Sequence, residues 1–528
     1  MLAGQQVIIL RQDVERNRGQ EAQRSNIIAA KAIAGAVRTT LGPRGMDKML
    51  VSSTGDVVIT NDGATILSEI SVQHPGAKMV IEVAKAQDDE VGDGTTTAVV
   101  LVGALMEQAE LMLAKKIHPT VIAQGYLLGM QKALEIVNSL SFKVDPTDRK
   151  TLLKIADTAI TGKSLEMVKG KLDSIIVDAV MAVAEKDGKK IVIDEDDIMI
   201  KKQKGSAMDD AELIRGIVID KKRISERMPK KVTGAKVALI STPLEITKTQ
   251  MKAKIKITSA EQINAFSEQE RDTLKHLSDA IIDSGANVLL CQKGIADPVQ
   301  FYLTKHNILA IEDVTENDMK YAAKALGATI VAKADSLTAK DLGCAAEVSE
   351  DKEADITYIS GCKNPKATTI LLRGTSDYLL DELERAVIDG KRVVQDAMED
   401  GTYVVGGGAV ETELLMKIRD YASTVGGRVQ LAIEAYAAAY ECIPRTLAEN
   451  SGFNPIDKLV ELKNAHSKGQ KNGGLNVYEG KVVDMLKEGV LEPLRSKRQS
   501  IQSASETAIM LIRVDDMMIT QQGGAPRM

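Results

Sequence analysis

The sequence predicts a multidomain protein in which mostly α-helical regions at both ends of the chain enclose an α/β region. Its 528 residues are too many to form a single ordinary hydrophobic core, and this length suggests about three or four domains. Hydrophobic residues make up 44% and charged residues 27%, a balance that is typical of globular proteins and argues against disorder. The spacing of apolar residues also changes along the chain from helical to strand-like and back.

The first 140 residues are predicted to be mostly helical. The opening is charged and loop-like up to Gly19, and a helix follows over about 21–40, where apolar residues recur at helical spacing. Gly42 and Pro43 end this helix, because glycine suits a C-cap and proline cannot continue a helix. The further elements predicted here are a short strand over 57–59 and helices near 78–86, after 95–97 and over about 119–140.

The middle of the chain has the pattern of an α/β region, because strand-like runs alternate with helical segments. Helices are predicted near 148–160 and 164–186, and strands at 190–193, 216–220, 236–241, 286–291, 308–311, 329–332 and 368–372. After about Ser376 the pattern is helical again, with Gly-rich breaks at 406–408, 426–427, 473–474 and 523–524. Two arrangements fit this order: a middle domain inserted into a discontinuous helical one, or three domains in a row.

One segment of the middle region alternates apolar residues with lysines, over about 246–258, and precedes an amphipathic helix. Pattern alone favours an edge strand followed by a surface helix. The alternative is a protruding arm with an apolar face that contacts a partner.

Composition argues against several classes of function. The chain has 4 Phe, 10 Tyr and no Trp, so it offers few stacking platforms for sugars or single-stranded nucleic acid, and its net charge of −6 gives no electrostatic reason to bind nucleic acid. No apolar run has the length of a signal peptide or a membrane span, so we expect neither. Four scattered cysteines and five histidines predict neither a disulfide framework nor a metal cluster, and indicate a reduced, cytoplasmic protein.

The strongest local motif is Gly-Asp-Gly-Thr-Thr-Thr at 92–97, which opens a predicted helix. Glycines let the backbone approach an anion, and the hydroxyls and free N–H groups of a first helical turn bind phosphate oxygens. Asp93 beside phosphates would require a cation, and Mg²⁺ suits oxygen ligands. A threonine-capped helix after a tight turn explains the same residues and stays open as the alternative.

Three other glycine motifs, at 41–45, 61–65 and 406–408, are weaker on their own, because turns and linkers have the same composition. None has the spacing of a Walker A loop, which the chain lacks. Asp389 interrupts an apolar helical stripe and is either a surface residue or a buried functional acid.

Taken together and in order, these motifs resemble those of the group II chaperonins, and among them the archaeal thermosomes, relatives of the eukaryotic cytosolic chaperonin. The resemblance covers essentially the whole chain and rests on the stretches 41–49, 61–66, 92–97, 160–163, 406–408 and 474–477. It implies the chaperonin fold, with a mostly α equatorial ATP-binding domain (1–146 and 403–528) and a small α/β intermediate hinge domain (147–215 and 369–402). The third domain would be an α/β apical client-binding domain (216–368). Its helical protrusion, at about 244–277, would form a lid, which favours the insertion and the protruding arm.

The resemblance also implies a site for ATP and Mg²⁺. Asp93 would coordinate the metal, and Asp62 and Asp389 would position and activate the attacking water. Lys163 would contact the γ-phosphate, while Gly407, Gly408, Asn476 and Glu492 would lie around the ribose and adenine. The remaining implied nucleotide-binding residues are Leu41, Gly42, Pro43, Gly45, Gly63, Gly94, Thr95, Thr96 and Thr97.

The implied function is that of an ATPase that drives lid closure and the folding of non-native client proteins. Its partners would be sister subunits in a back-to-back double ring, with no nucleic acid and no membrane. The chain departs from the family pattern at Gly390, Ala211 and the acidic pair Glu312 and Asp313. One alternative is therefore a weakly hydrolysing structural subunit of a hetero-oligomeric chaperonin. Another is a monomeric or dimeric ATP-dependent metabolic enzyme with a Gly-rich phosphate site.

Overall fold

The computed structural model describes residues 14–52, 55, 57–162, 169–188, 190–204, 211–246, 260–351, 355–362 and 368–520. The chain forms two compact units, the first built from Met1–Asp173 and Arg385–Met528, the second from Ser174–Glu384. The first unit is therefore discontinuous, with the second inserted between its two parts. The finer division into three domains stays a prediction.

The N-terminal part of the first unit is mostly helical. Helices α3 and α5 each begin with a histidine N-cap followed by proline, which is pre-organised for the first helical position. The elements are β1 (Val14–Arg18), α1 (Gln20–Arg38), β2 (Lys48–Val51), β3 (Val57–Thr60), α2 (Gly63–Glu69), α3 (Pro75–Val91), α4 (Thr95–Ala114), α5 (Pro119–Leu140), β4 (Phe142–Lys143) and α6 (Arg149–Ile160).

The middle of the chain alternates strands and helices, and its first and last helices, α7 and α11, also contribute residues to the first unit. The elements are α7 (Lys169–Val183), β5 (Glu185–Asp187), β6 (Lys190–Val192), β7 (Ile198–Lys204), β8 (Glu212–Ile214), β9 (Gly216–Ile219), β10 (Lys231–Ile240), α8 (Ala260–Asp283), β11 (Val288–Cys291), α9 (Asp297–Lys305), β12 (Leu309–Ile311), α10 (Glu316–Leu326), β13 (Ile330–Val331), β14 (Gly343–Asp351), β15 (Ile356–Cys362), β16 (Thr368–Gly374) and α11 (Asp377–Asp400).

The C-terminal part completes the first unit with six helices and five short strands among the described residues. The elements are β17 (Thr402–Val405), α12 (Ala409–Val425), α13 (Gly427–Ala439), α14 (Cys442–Asn450), α15 (Pro455–Ser467), β18 (Gly473–Asn476), β19 (Lys481–Asp484), α16 (Met485–Glu488), β20 (Leu491–Pro493), α17 (Leu494–Arg513) and β21 (Asp516–Thr520).

The core of the first unit is a helical layer around α4, which packs against α1, α17, α13 and α3. Aliphatic residues fill most of this core, which therefore contains few aromatic side chains. The three fully buried tyrosines are hydrogen-bonded. Tyr126 donates to the Leu105 carbonyl at 2.7 Å, and the Tyr436 hydroxyl contacts those of Tyr440 and Ser505. Among the described residues, α4 alone is long and apolar enough to cross a membrane by length and composition. We expected no such stretch. In the structure 56% of this apolar stretch is buried, and α4 serves as a core helix of the first unit.

The second unit is built on a mixed sheet in the order β12-β11-β10-β14-β15-β9, with β13 also paired to β10. Both faces are buried, since alternate residues of β10 enter different clusters: Val237 and Leu239 face α10, while Ala238 and Ile240 face α8 and α9. A separate three-stranded sheet, β7-β16-β8, pairs β16 in parallel with β7.

Several sequence-based assignments need correction. The opening was expected to be loop, but β1 pairs antiparallel with β21 at the other end of the described chain, a contact that local pattern does not reveal. The region after Ser376 was expected to be helical between Gly-rich breaks, yet it contains β17–β21, because strands of three to five residues are too short for a clear period. The other strands that were missed are β2, β4, β5, β7, β8, β14 and β15. Residues 247–259 of the predicted protrusion lie outside the described part of the chain, and its remainder, from 260 onwards, is part of α8.

Candidate functional site

A cavity of about 380 Å³ lies in the first unit and is lined by residues from both parts of that unit. Two of the predicted site residues are not found there: Gly45 does not line the cavity, and Lys163 lies outside the described residues. The other predicted residues all line it, namely Leu41, Gly42, Pro43, Asp62, Gly63, Asp93, Gly94, Thr95, Thr96, Thr97, Asp389, Gly407, Gly408, Asn476 and Glu492.

The start of α4 forms one end of the cavity. Gly94 is its N-cap with φ of 78°, a left-handed conformation that favours glycine, and no side chain caps the helix there. The first N–H groups of α4 therefore lack an intrahelical partner and are available to an anion. Gln87 holds the preceding loop, because its Nε2 donates to the Asp93 carbonyl at 2.8 Å and to the Ser496 carbonyl at 3.3 Å.

The start of α2 lies directly against the start of α4. A Cβ atom at Gly63 would lie 2.6 Å from Thr96 Oγ1 and 3.0 Å from Thr96 N, so only glycine fits. Asp62 caps α2 by accepting a hydrogen bond from Thr65 N at 2.7 Å, and it accepts another from the Thr95 hydroxyl at 3.4 Å. Its carboxylate thus lies where two helix N-termini meet, a position that favours negative charge.

The turn at 41–45 forms a second wall of this end. Gly42 has φ of 83°, and a side chain there would overlap Leu447. Asn450 fixes the turn by donating from Nδ2 to the Leu41 carbonyl at 2.9 Å. Gly45 closes the turn instead of lining the cavity, since its N–H donates to the Gly42 carbonyl at 2.9 Å. Gly162, which precedes Lys163, lies against this turn: a Cβ there would be 2.8 Å from Pro43 Cα.

The opposite end is apolar and built on glycine backbone. Gly407 and Gly408 have φ of 66° and 79°, and the Gly407 carbonyl accepts a hydrogen bond from Leu475 N at 2.9 Å. Apolar side chains complete this end: Ile443, Leu475, Val477, Met485 and Val490. Asn476 shapes the adjoining turn, because its Oδ1 accepts from Tyr478 N at 3.0 Å and from Glu479 N at 3.1 Å.

Asp389 is a buried acid, 9% exposed, and it lines the cavity, which excludes the alternative of a simple surface residue. Helix α11 runs unbroken through Gly390. Its second half is fixed to the first unit by two arginines. The Arg392 side chain packs against Gly92, and its guanidinium donates to the Asp88 carbonyl at 2.6 Å. Arg495 of α17 pairs with Asp396 at 2.6 Å.

Sequence reasoning missed a buried ionic cluster beside the cavity. Lys497 Nζ lies 2.7 Å from Glu411 Oε1 and 2.9 Å from Glu492 Oε2. Burial lowers the pKa of Lys497, but the two carboxylates outweigh this and hold its pKa above the ordinary value. Burial raises the pKa of Glu492, and the Lys497 charge opposes that rise. The one signal in the sequence is a lysine in the first turns of a helix, where a cation is disfavoured.

Other cavity-lining residues were not among the predicted site residues. They lie after α1 and after β3, on α6 and in the loop after it, after β18, and at the end of α16: Thr40, Asn61, Asp157, Thr158, Thr161, Gly162, Tyr478, Glu488 and Gly489. Asn61 contacts this wall directly, since its Nδ2 donates to the Gly162 carbonyl at 2.6 Å.

The donor set of the cavity fits a magnesium–nucleotide complex. No group of three or more His, Cys, Asp or Glu side chains that could hold a metal was found among the described residues. Mg²⁺ commonly takes one or two carboxylates and completes its shell with phosphate oxygens and water. Asp93, next to the uncapped start of α4, is a suitable carboxylate for that arrangement.

Comparison with known proteins gives a consistent result. Residues 33–522 match the TCP-1/cpn60 chaperonin family. The chain is 52% identical to a thermosome subunit of Methanopyrus kandleri over 99% of this chain and 96% of that protein, and 52% identical to a thermosome subunit of Pyrococcus abyssi over 99% and 95%. It is also similar to the open-state monomer of a group II chaperonin from Methanococcoides burtonii, with a TM-score of 0.62, 42% identity, and coverage of 80% of this chain and 100% of that one.

The fold, with its discontinuous helical unit and inserted α/β unit, and the full-length matches define the class: the chain belongs to the TCP-1/cpn60 chaperonin family. Its similarity to thermosome subunits over nearly the whole length makes it a group II chaperonin subunit, as the ordered motifs predicted.

Proposed function

We propose that this chain is the ATP-hydrolysing subunit of a cytoplasmic double-ring chaperonin, which closes a lid over non-native client proteins. The observation that carries the proposal is the cavity itself. It combines two helix N-termini, four glycine motifs and the carboxylates Asp62, Asp93 and Asp389 in one place.

The chemistry of the two ends supports one orientation of the nucleotide. The triphosphate would lie against the starts of α2 and α4, where N–H groups and threonine hydroxyls are available. The adenosine would lie at the apolar end, against Leu475 and the Gly407–Gly408 backbone. ATP is therefore a better fit than a phosphate-free ligand.

Hydrolysis requires a positioned water more than covalent chemistry, because phosphoryl transfer depends chiefly on positioning and neutralisation of charge. Asp93 would hold Mg²⁺, which when bound supplies positive charge to the phosphates. Asp62 is oriented by Thr65 N and the Thr95 hydroxyl, and would hold the water. Asp389, buried on α11, would accept its proton.

Helix α11 offers a route from hydrolysis to conformational change. Asp389 lies on the part of α11 that belongs to the first unit, while the helix begins at Asp377 in the second unit. A shift of α11 would therefore change the geometry around the nucleotide, and turnover would be coupled to closure.

The weakly hydrolysing structural subunit remains the second candidate, because Gly390 follows the proposed proton acceptor directly. Gly in a helix interior costs about 0.5–1 kcal/mol relative to Ala. The unbroken course of α11 through Gly390 favours a competent site.

The test is to express the chain alone and measure particle size and ATP turnover with and without Mg²⁺. We expect ring-sized particles and magnesium-dependent turnover. Rings without turnover would support the structural subunit, and a species no larger than a dimer would support the metabolic enzyme. Lid closure is tested separately by ATP-dependent protection of a bound client from protease, which should be lost when residues 247–259 are replaced by a short Gly-Ser linker.

A further inference from the structure

The ionic cluster of Lys497, Glu411 and Glu492 has features that stability alone does not explain. The side chains of Lys497 and Glu411 are only 8% and 5% exposed, whereas that of Glu492 is 21% exposed; Glu492 and Lys497 both line the cavity, and Glu411 lies behind them. Two carboxylates and one ammonium leave a buried excess of negative charge. A buried ion pair commonly contributes no net stability, because desolvation offsets the attraction.

Helix geometry adds to this cost. Lys497 is the fourth residue of α17, close to the positive end of the helix dipole, where a cation is disfavoured. Glu411, the third residue of α12, has the favourable sign at its own helix start. Its Oε2 is nevertheless buried and lacks a hydrogen-bond partner among the described residues. Such a costly arrangement points to a role at the adjoining site.

The location of Glu492 identifies the part of the ligand that it faces. A Cβ atom at Gly406 would lie 2.6 Å from Glu492 Oε1, so the carboxylate lies against the glycine backbone of the apolar end. At the other end of the cavity, a Cβ at Gly94 would lie 3.0 Å from the hydroxyl of Ser496, which is the neighbour of Lys497. The Lys497–Glu492 pair therefore connects the glycine backbone of the apolar end with the segment that lies against the start of α4. A pentose that joins the base to the phosphates would lie beside this pair.

We propose that Lys497 is a positioning residue that holds the Glu492 carboxylate as an acceptor for ribose hydroxyls, so that the site selects ribonucleotides over 2′-deoxyribonucleotides. Lys497 binds Glu492 Oε2 and fixes its plane, and Glu411 fixes Lys497 from the other side. When the analogue lacks the hydroxyl, the carboxylate oxygen that Lys497 does not bind loses its hydrogen-bond donor inside the occupied site, which is how a polar site rejects an analogue that lacks the group. This inference rests on the proposed nucleotide site.

The test compares the affinities of the assembled protein for ATP and 2′-deoxyATP by competition with a fluorescent nucleotide. The native protein should prefer ATP by about tenfold or more, the effect of one hydrogen bond to a charged group. In Lys497→Met the affinity for ATP should fall while that for 2′-deoxyATP changes little, so that the preference shrinks to about twofold or less. Lys497→Arg, which keeps a cation, should retain most of the preference.

Lys497→Met leaves two buried carboxylates and can fail to fold, so the double variant Lys497→Met/Glu411→Gln is included, which preserves the net charge of the cluster. It should show the same loss of preference. Lys201→Met is the matched control: Lys201 pairs with the buried Asp318 at 2.8 Å in the second unit, does not line the cavity, and its loss should leave the preference unchanged.

An equal loss of affinity for both nucleotides, or an undiminished preference in the double variant, would overturn the role of Lys497. A native protein that binds ATP and 2′-deoxyATP equally would overturn it as well, while leaving the proposed function intact. If the native protein binds neither nucleotide, the proposed function itself fails.

Discussion

At the scale of single residues, Gly63 shows how closely the two helix starts approach each other. Its Cβ position is 2.6 Å from Thr96 Oγ1 and 3.0 Å from Thr96 N, both at the start of α4. We predict that Gly63→Ala displaces this start and weakens ATP binding by about tenfold or more, since small misplacements at a positioned site have large effects. Gly35→Ala, in open space on α1, is the control for binding. Unchanged ATP affinity in Gly63→Ala would contradict this packing account.

The residues of the site were predictable to the extent that they occur in local motifs. The runs 41–45, 61–65 and 92–97 each combine a turn with a helix or strand end, which is visible in the sequence. Lys497 and Glu411 were not predictable, because their contact joins residues 86 positions apart and neither belongs to a glycine motif. The placement of Gly45 in the turn, outside the cavity, also needed the backbone geometry.

At the scale of elements, the contact between α1 and α4 depends on small residues. A side chain at Gly103 of α4 would overlap the Ala34 methyl of α1, whereas nothing lies within 4 Å of Gly35 on the exposed side of α1. Gly103→Ala should therefore destabilise the protein by about 1–3 kcal/mol through overpacking. Gly35→Ala should stabilise it by about 0.5–1 kcal/mol through helix propensity. Unfolding midpoints of the two variants check this, and equal shifts would contradict it.

The contact between Asp396 of α11 and Arg495 of α17 makes the stability of the protein depend on pH. Burial raises the pKa of Asp396 from 3.8 to about 8; the Arg495 charge opposes this, and Asp400 and Glu399 add to it. Between these values the folded protein holds a proton that the unfolded chain has released. The contribution of Asp396 to the free energy of unfolding is therefore greatest below pH 3.8. It falls as the pH rises and levels off above about 8.

Asp396→Asn removes this titration. From pH 5 to pH 8 its unfolding temperature should rise relative to that of the native protein, as measured by parallel thermal unfolding. Asp381→Asn, at an exposed acid on the same helix, is the control. If the difference between Asp396→Asn and the native protein is the same at both pH values, Asp396 is ionised throughout and the assignment is wrong.

Helices with a long apolar pattern or a clear capping signal were predictable from the sequence, whereas most short strands were not. The helices α3, α4 and α5 follow proline or threonine signals and occur where the pattern indicates, although α3 (Pro75–Val91) is longer than the predicted 78–86. The β1–β21 ribbon joins residues that are about 500 positions apart, such as Arg16 and Asp516, and each strand has only five residues. This pairing forms only when the two chain ends of the first unit come together, so neither strand shows a recognisable pattern in its own sequence.

At the scale of the whole molecule, the helical–α/β–helical order fitted either an inserted middle domain or three domains in a row, and the chaperonin resemblance favoured the insertion. The first unit does consist of both chain ends. The consequence for function is that the cavity collects residues from Thr40 to Lys497, so the site exists only when the two ends have folded together. The three-domain division, the ring and the lid remain proposals.

The central claim is that this cavity hydrolyses ATP with Asp389 as proton acceptor, and it is tested most directly in Asp389→Asn. The variant keeps the size and polarity of the side chain but removes its negative charge and its ability to accept a proton. We predict that ATP affinity stays within about twofold of the native value while turnover falls about 100-fold or more, the usual contribution of a positioned general base. Native turnover in Asp389→Asn, with ATP bound normally, would contradict the account.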